Sequence, residues 1–160
     1  LLDAIDGLTG ATTNFSNLPL GTKAIALPDN SYNKSSAFLR VFGRPESLSV
    51  CECERVQSGS LAQSLHLMNS SDLKAKLSVA GGTAERLASL QTPLSERITE
   101  LYVMAFSRLP TESELQASLV FLASKPASSE TTGSIPIVDK VDFEDLIWAL
   151  INTKEFLFNH

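Results

Sequence analysis

The apolar residues in the second half of this chain recur at the helical period, and proline and capping residues punctuate them. Ile98, Leu101, Tyr102 and Ala105 fall on one side of a helix, because residues three and four apart stack on one face. Thr92 is placed to cap that helix with Pro93 at its first position, where a missing N–H costs nothing. Pro110 breaks the run. Thr111 and Glu114 then have capping-box spacing, with Leu115, Leu119 and Leu122 as the stripe behind them. Asp142 is read as the cap of the last long helix, whose buried side holds Phe143, Leu146, Ile147, Leu150 and Ile151. Thr153 restarts a final turn with Phe156 and Leu157 packing back. The spacing therefore predicts helices over 93–107, 112–124 and 142–152, packed on one another. Between them, the Ser/Thr/Pro-rich stretch is read as a mobile loop over 124–140.

The first half is less regular. Leu1, Leu2, Ile5 and Leu8 follow helical spacing up to Gly10, a residue suited to a left-handed cap. Residues 11–35 hold Pro19, Gly21, Pro28 and several Asn and Ser residues, which favour turns. Within them, Lys23 to Leu27 alternates polar and small apolar residues and reads as a short extended piece. Ser35 or Ser36 caps a short helix bearing Phe38, Leu39 and Phe42, ended by Gly43-Arg44-Pro45. Ser60 and Gln63 make another capping box ahead of Leu61, Leu65 and Met68. Short helices are expected near 72–78 and 83–90, with Gly81-Gly82 between them. The expected fold class is all-α: a multi-helix orthogonal bundle with a long irregular N-terminal half, forming a single helical domain over 1–160. Because Leu1 opens directly on helical spacing, the chain reads as beginning inside or near a helix of something longer.

Charge narrows the partners. Thirteen basic against eighteen acidic residues leave a net charge of −5, which gives no electrostatic drive toward a phosphate backbone. Nucleic acid is therefore not an expected partner. No apolar run approaches the roughly 20 residues of a membrane helix, so no membrane span is expected.

The most unusual string is Cys51-Glu52-Cys53-Glu54-Arg55. Two thiols at i and i+2, with His66 and Met68 downstream, suggest a copper(I) or zinc site. The spacing matches no common zinc pattern and is not the Cys-x-x-Cys-His signature of haem attachment. Buried free thiols are the preferred reading, and a strained local disulfide is a third. Glu52 and Glu54 with Arg40, Arg44 and Arg55 offer a paired-carboxylate acid/base site; the plainer reading is arginine–glutamate pairing that holds an irregular segment in place. His66 lies beside the core face of its helix, as a base or ligand or as a boundary residue bonded to a loop carbonyl. Trp148 and Phe158 have the chemistry of sugar-stacking aromatics, but among Leu and Ile they read as core. No Gly-x-Ser-x-Gly, Gly-x-Gly-x-x-Gly or phosphate loop is present. The candidate binding cluster is thus Arg44, Cys51, Glu52, Cys53, Glu54, Arg55 and His66. No catalytic residue, metal or cofactor is assigned.

Seven strings in order, LLDAI (1–5), LPLGTKAIALPD (18–29), FLRVFGRP (38–45), CECER (51–55), SLAQSLHLMNS (60–70), ELYVMAFSRLPTESE (100–114) and DLIWALINTKEFLFNH (145–160), carry a family resemblance. Together they resemble the C-terminal domain of unknown function of large secreted planctomycete proteins that carry an upstream cytochrome-c-like domain. The pattern matches Gly43, Arg44, Pro45, Cys51, Glu52, Cys53, Arg55, His66 and Asn69, and implies no catalytic role for any of them. Met68 departs from it, standing where the pattern has leucine. The resemblance implies export, a multidomain parent and a loose link to polysaccharide use. The run from Leu101-Tyr102 to Arg108-x-Pro110, with Glu155-Phe156, is also similar to helical linker-type assembly domains. The expected function is a non-catalytic interaction or structural module of an exported, redox- or polysaccharide-associated protein, docking on its own upstream domains or on a protein or polysaccharide partner. The alternative is part of an extracytoplasmic enzyme acting on polysaccharide or its products, with polar residues of 40–66 lining the site.

Overall fold

The computed structural model describes residues 1–28, 37–42, 63, 66–67, 69–124 and 138–158. Among the described residues the chain is all-α, with no β-strand. Its contacts divide it into two compact units. One gathers Leu1, Asp3–Ala11 and Ala75–His160; the other gathers Leu2 and Thr12–Lys74.

The larger unit is built on the apolar stripes. Its helices are α1 (Leu2–Thr9), the end of α3 (Ser71–Leu77), α4 (Thr83–Ser89), α5 (Leu94–Phe106), α6 (Glu112–Ala123), α7 (Lys140–Ile151) and α8 (Lys154–Phe158). Helix α7 packs against α4, α5, α6 and α8, and α5 also packs on α6 and α8. Ile98, Leu101, Tyr102 and Ala105 of α5 are all buried, as are Phe143, Leu146, Ile147, Leu150 and Ile151 of α7. Gly10 ends α1 in the left-handed region, with φ 75°, and Thr9 turns its hydroxyl back to the Ile5 carbonyl at 2.8 Å.

Several boundaries differ from the sequence reading. Pro93 stands at the cap of α5 rather than in its first turn, with extended ψ of 142°, and its carbonyl accepts from Glu96 N and Arg97 N. Helix α7 starts earlier than expected: Asp139 is the cap, and Asp142 reaches back from the third position to accept the Asp139 N–H at 3.0 Å. In α6 only Leu122 of the expected stripe is fully buried; Leu115 and Leu119 are half-buried, and Ser118 fills the inner face instead. Ser118 can be there because its hydroxyl donates to Glu114 O at 2.8 Å. Phe158 is 72% exposed and Trp148 half-buried, so Phe158 is not core. Most of the loop placed at 124–140 lies outside the described residues; Val138 is buried and Asp139 and Lys140 belong to the cap and first turn of α7.

In the smaller unit, Phe15, Leu27, Phe38, Leu39, Leu67 and Leu73 are buried. Helix α2 (Ala37–Val41) carries Phe38 and Leu39 inward. The stretch expected as extended at Lys23–Leu27 is a 3-10 turn, Ala24–Ala26, with the Ala26 and Leu27 N–H groups bonded to Lys23 O and Ala24 O. The local carbonyls satisfy the amides that a strand partner would otherwise need. Gln63, His66, Leu67 and Asn69 are helical; Leu61, Leu65 and Met68 lie outside the described residues.

Candidate functional site

Of the candidate cluster, only His66 is described. Arg44, Cys51, Glu52, Cys53, Glu54 and Arg55 lie outside the described residues, and with them the expectation of buried, metal-free thiols. His66 stands on its helix against two phenylalanines one turn apart on the α2 segment. The Phe38 and Phe42 rings stack at 4.3 Å and 18°. His66 meets both edge-on, at 5.6 Å and 69° and at 6.1 Å and 71°. Gln63, one turn before His66, donates its amide to Val41 O at 3.2 Å and joins the same two segments. The sequence offered His66 as a base, a ligand or a boundary residue bonded to a loop carbonyl. Its Nε2 is buried with no hydrogen-bond partner among the described residues. Buried polar atoms are ordinarily paired, so this nitrogen is chemically conspicuous: an imidazole in an aromatic nook can ligate or exchange a proton. Among the described residues, no group of three or more His, Cys, Asp or Glu side chains could hold a metal ion.

A densely connected polar constellation lies in the larger unit, and sequence reasoning saw only its pieces. Ser107 leaves α5 in the left-handed region (φ 55°), which turns Arg108 toward the start of α6 and toward α8. Arg108 Nε and Nη2 donate to the two oxygens of Glu155, both at 2.7 Å. Nη1 and Nη2 donate to the two oxygens of Glu114 at 2.8 and 2.7 Å, and Nη1 also reaches Leu109 O at 3.1 Å. The guanidinium lies 5.3 Å from the Phe106 ring centre. Glu114 simultaneously accepts from Thr111 N at 2.7 Å, completing the capping box expected there. The hydrogen bond from Arg108 holds the Glu114 carboxyl at about 2, with Thr111 adding to the shift. The same guanidinium lowers Glu155 and is itself raised by both carboxylates. Such planar two-toothed pairing fixes geometry as well as charge. The strings SRLPTESE and KEF were both visible in the sequence; their convergence was not, because it depends on how α8 returns.

Three further charged side chains act on backbone. Lys140 donates to Ser78 O at 2.9 Å and to Glu85 at 3.2 Å. Glu85 accepts from Gly81 N at 3.1 Å, and that bond, followed by Lys140, lowers its carboxyl. Arg97 is 2% exposed on α5. Its Nη1 donates to Leu87 O near the end of α4 at 3.1 Å, and its guanidinium lies 5.7 Å from the Phe143 ring of α7. Its Nε has no hydrogen-bond partner among the described residues, and burial lowers its pKa.

Residues 20–122 match the family described as PSD1, protein of unknown function (DUF1553). The chain belongs to this family. The motif resemblance thus holds at the level of a domain of unknown function. The DUF1553 match takes in the segment of the candidate cluster, His66, Arg97, Arg108 and Glu114, while Glu155 lies past its end. No curated protein and no solved structure matches the chain. Among the described residues, no helix of this DUF1553 domain is long and apolar enough to cross a membrane.

Proposed function

We propose that this DUF1553 domain is a non-catalytic interaction module of an exported, multidomain planctomycete protein, docking on the domains that precede it, one of them cytochrome-c-like. The reading places it outside the cytoplasm, in a redox- or polysaccharide-associated assembly. The observation that carries it is how the chain spends its polar chemistry. Arg108 gives its donors to Glu114, Glu155 and Leu109 O, and Lys140 and Glu85 close a turn. These groups hold helices together, as a scaffold requires. Pull-down of the preceding domains, expressed as a separate chain, by the 160-residue chain tests the reading; a chain that retains none of them refutes it.

A second reading is favoured by His66. A buried Nε2 without a partner among the described residues is suited to a ligand or a general base, as part of an extracytoplasmic enzyme acting on polysaccharide or its products. Hydrolysis or cleavage of polysaccharide by the full parent protein, abolished by His66→Ala and unaffected by Phe158→Ala, supports that reading over the first.

A further inference from the structure

Helices α4 and α5 each pack on α7, and two arginines link them to one another through side chains. Arg97 of α5 does so from the interior, through Leu87 O. Arg86 of α4 does so at the surface. Its Nη1 pairs with Glu100 Oε1 at 2.7 Å, and its Nη2 donates to Met104 Sδ at 3.6 Å. Glu100 and Met104 are four residues apart on α5, so one face of that helix presents both to the same guanidinium. The two contacts are unequal. A carboxylate is a strong acceptor and a thioether sulfur a weak one. The Met104 sulfur is the one hydrogen-bond acceptor that Nη2 has among the described residues.

Met104 is 37% exposed, so an oxidant in solution has access to it. A thioether takes one oxygen from hydrogen peroxide. The sulfur attacks a peroxide oxygen, and the S–O bond forms as the O–O bond breaks. The displaced hydroxide takes up the proton left on the transferred oxygen, giving sulfoxide and water. Sulfur loses two electrons and the peroxide gains them. The product ordinarily disrupts packing, because a polar oxygen replaces an apolar surface. At Met104 the new oxygen arises beside an arginine donor whose present acceptor is weak. A hydrogen bond from a charged donor to oxygen is the stronger class, and the unbranched methionine side chain has the torsional freedom to form it.

We infer that Met104 is a peroxide-modification site whose sulfoxide is held by the Arg86 guanidinium, so that oxidation tightens the join between α4 and α5 instead of loosening it. The inference is independent of the interaction-module reading above. The chain has two methionines, Met68 and Met104, and Met68→Leu leaves Met104 as the sole one by a swap that cores tolerate well. This reference chain is compared with two others that carry a second substitution, Arg86→Leu or Met104→Leu. Both second sites are exposed. Each chain is treated with hydrogen peroxide and then with dithiothreitol, which returns reversibly oxidised cysteines to thiols and leaves methionine sulfoxide in place. Peptide mass spectrometry locates the added oxygen, and circular dichroism follows thermal unfolding before and after treatment. Met104 should carry one oxygen in the reference chain, and the melting temperature of that chain should rise by about 1–3 °C. In the Arg86→Leu chain Met104 should still be oxidised, but with no rise. The Met104→Leu chain should not shift. A reference chain that gains no oxygen at Met104, or whose melting temperature falls or stays put once it has, overturns the inference. So does an equal rise in either comparison chain. The reference chain alone decides the sign, so the test stands even if Arg86→Leu does not fold.

Discussion

Replacing Arg97 separates what its charge contributes from what its bulk contributes. The side chain is 2% exposed, with one hydrogen bond to Leu87 O and the Phe143 ring at 5.7 Å. On the favourable side stand a charged hydrogen bond of about 1.5–3 kcal/mol and a cation–π contact of up to about 2 kcal/mol when desolvated. On the other stands the cost of taking a guanidinium out of water, several kcal/mol per ion when no carboxylate repays it. These nearly cancel. The aliphatic stem, by contrast, packs among α4, α5 and α7, and its removal leaves a void. Arg97→Met should therefore stay within about 1 kcal/mol of the unaltered protein: the Leu87 carbonyl loses its donor, at about 1–3 kcal/mol, while the buried charge is relieved. Arg97→Ala should lose about 3 kcal/mol, as large-to-alanine changes in cores do. For a chain this long, the alanine variant should melt about 6–12 °C lower and the methionine variant within about 4 °C. Thermal and urea unfolding followed by circular dichroism would measure both. If Arg97→Met is as damaging as Arg97→Ala, the guanidinium's polar contacts carry the residue and this balance is wrong.

Two further perturbations follow from local geometry. A Cβ at Gly82 would stand 2.4 Å from Val79 Cγ1 and 2.7 Å from Thr9 O; its φ is −73°, so the obstacle is space, and Gly82→Ala should cost about 1–3 kcal/mol. Gly7 lies inside α1 with nothing within 4 Å of a Cβ, so Gly7→Ala should stabilise by roughly 0.5–1 kcal/mol; denaturant midpoints that move the two variants in the same direction would contradict this. Glu114 has a folded pKa of about 2 against an ordinary 4.5. A lowered folded value means that its stabilisation is complete above the ordinary value and is lost as pH falls through about 2. The melting-temperature gap between the unaltered chain and Glu114→Gln should then be constant above pH 4.5 and close as the pH approaches 2; a gap that widens on acidification would refute it.

What the sequence disclosed follows from the range of the forces involved. Ile98, Leu101, Tyr102 and Ala105, like the inward face of α7, were legible because a helix repeats its burial at a fixed period. The Thr111–Glu114 cap was legible because it closes over three residues. Leu115 and Leu119 had correct spacing yet are half-buried, since how much of a stripe is covered depends on the neighbouring helices. Arg97 was overlooked because a charged residue flanking a stripe normally reaches solvent; only the placement of Leu87 O and Phe143 gives it an interior position. The 3-10 turn at Ala24–Ala26 was misread because small alternating residues fit an extended segment as readily as a tight turn. Within the candidate cluster, the boundary position of His66 was visible in its spacing. The packing that leaves its Nε2 without a partner among the described residues was not, since it depends on Phe38 and Phe42 arriving from the α2 segment.

The Arg108 clamp also sets an order of assembly. Its two carboxylates lie 6 and 47 residues along the chain from the arginine. The nearer partner closes a short loop and can form as soon as α5 meets α6. The farther one requires α7 to be in place before α8 can return, and the longer closure costs more chain entropy. The α5–α6 corner should thus belong to the folding nucleus, with α8 arriving on the native side of the barrier. In stopped-flow refolding, Glu114→Gln should slow folding, whereas Glu155→Gln should leave folding nearly unchanged and accelerate unfolding. Helix α8 would then be the last of these helices to dock and the first to detach, so its bond to Arg108 sets how long the native state lasts rather than how quickly it is reached.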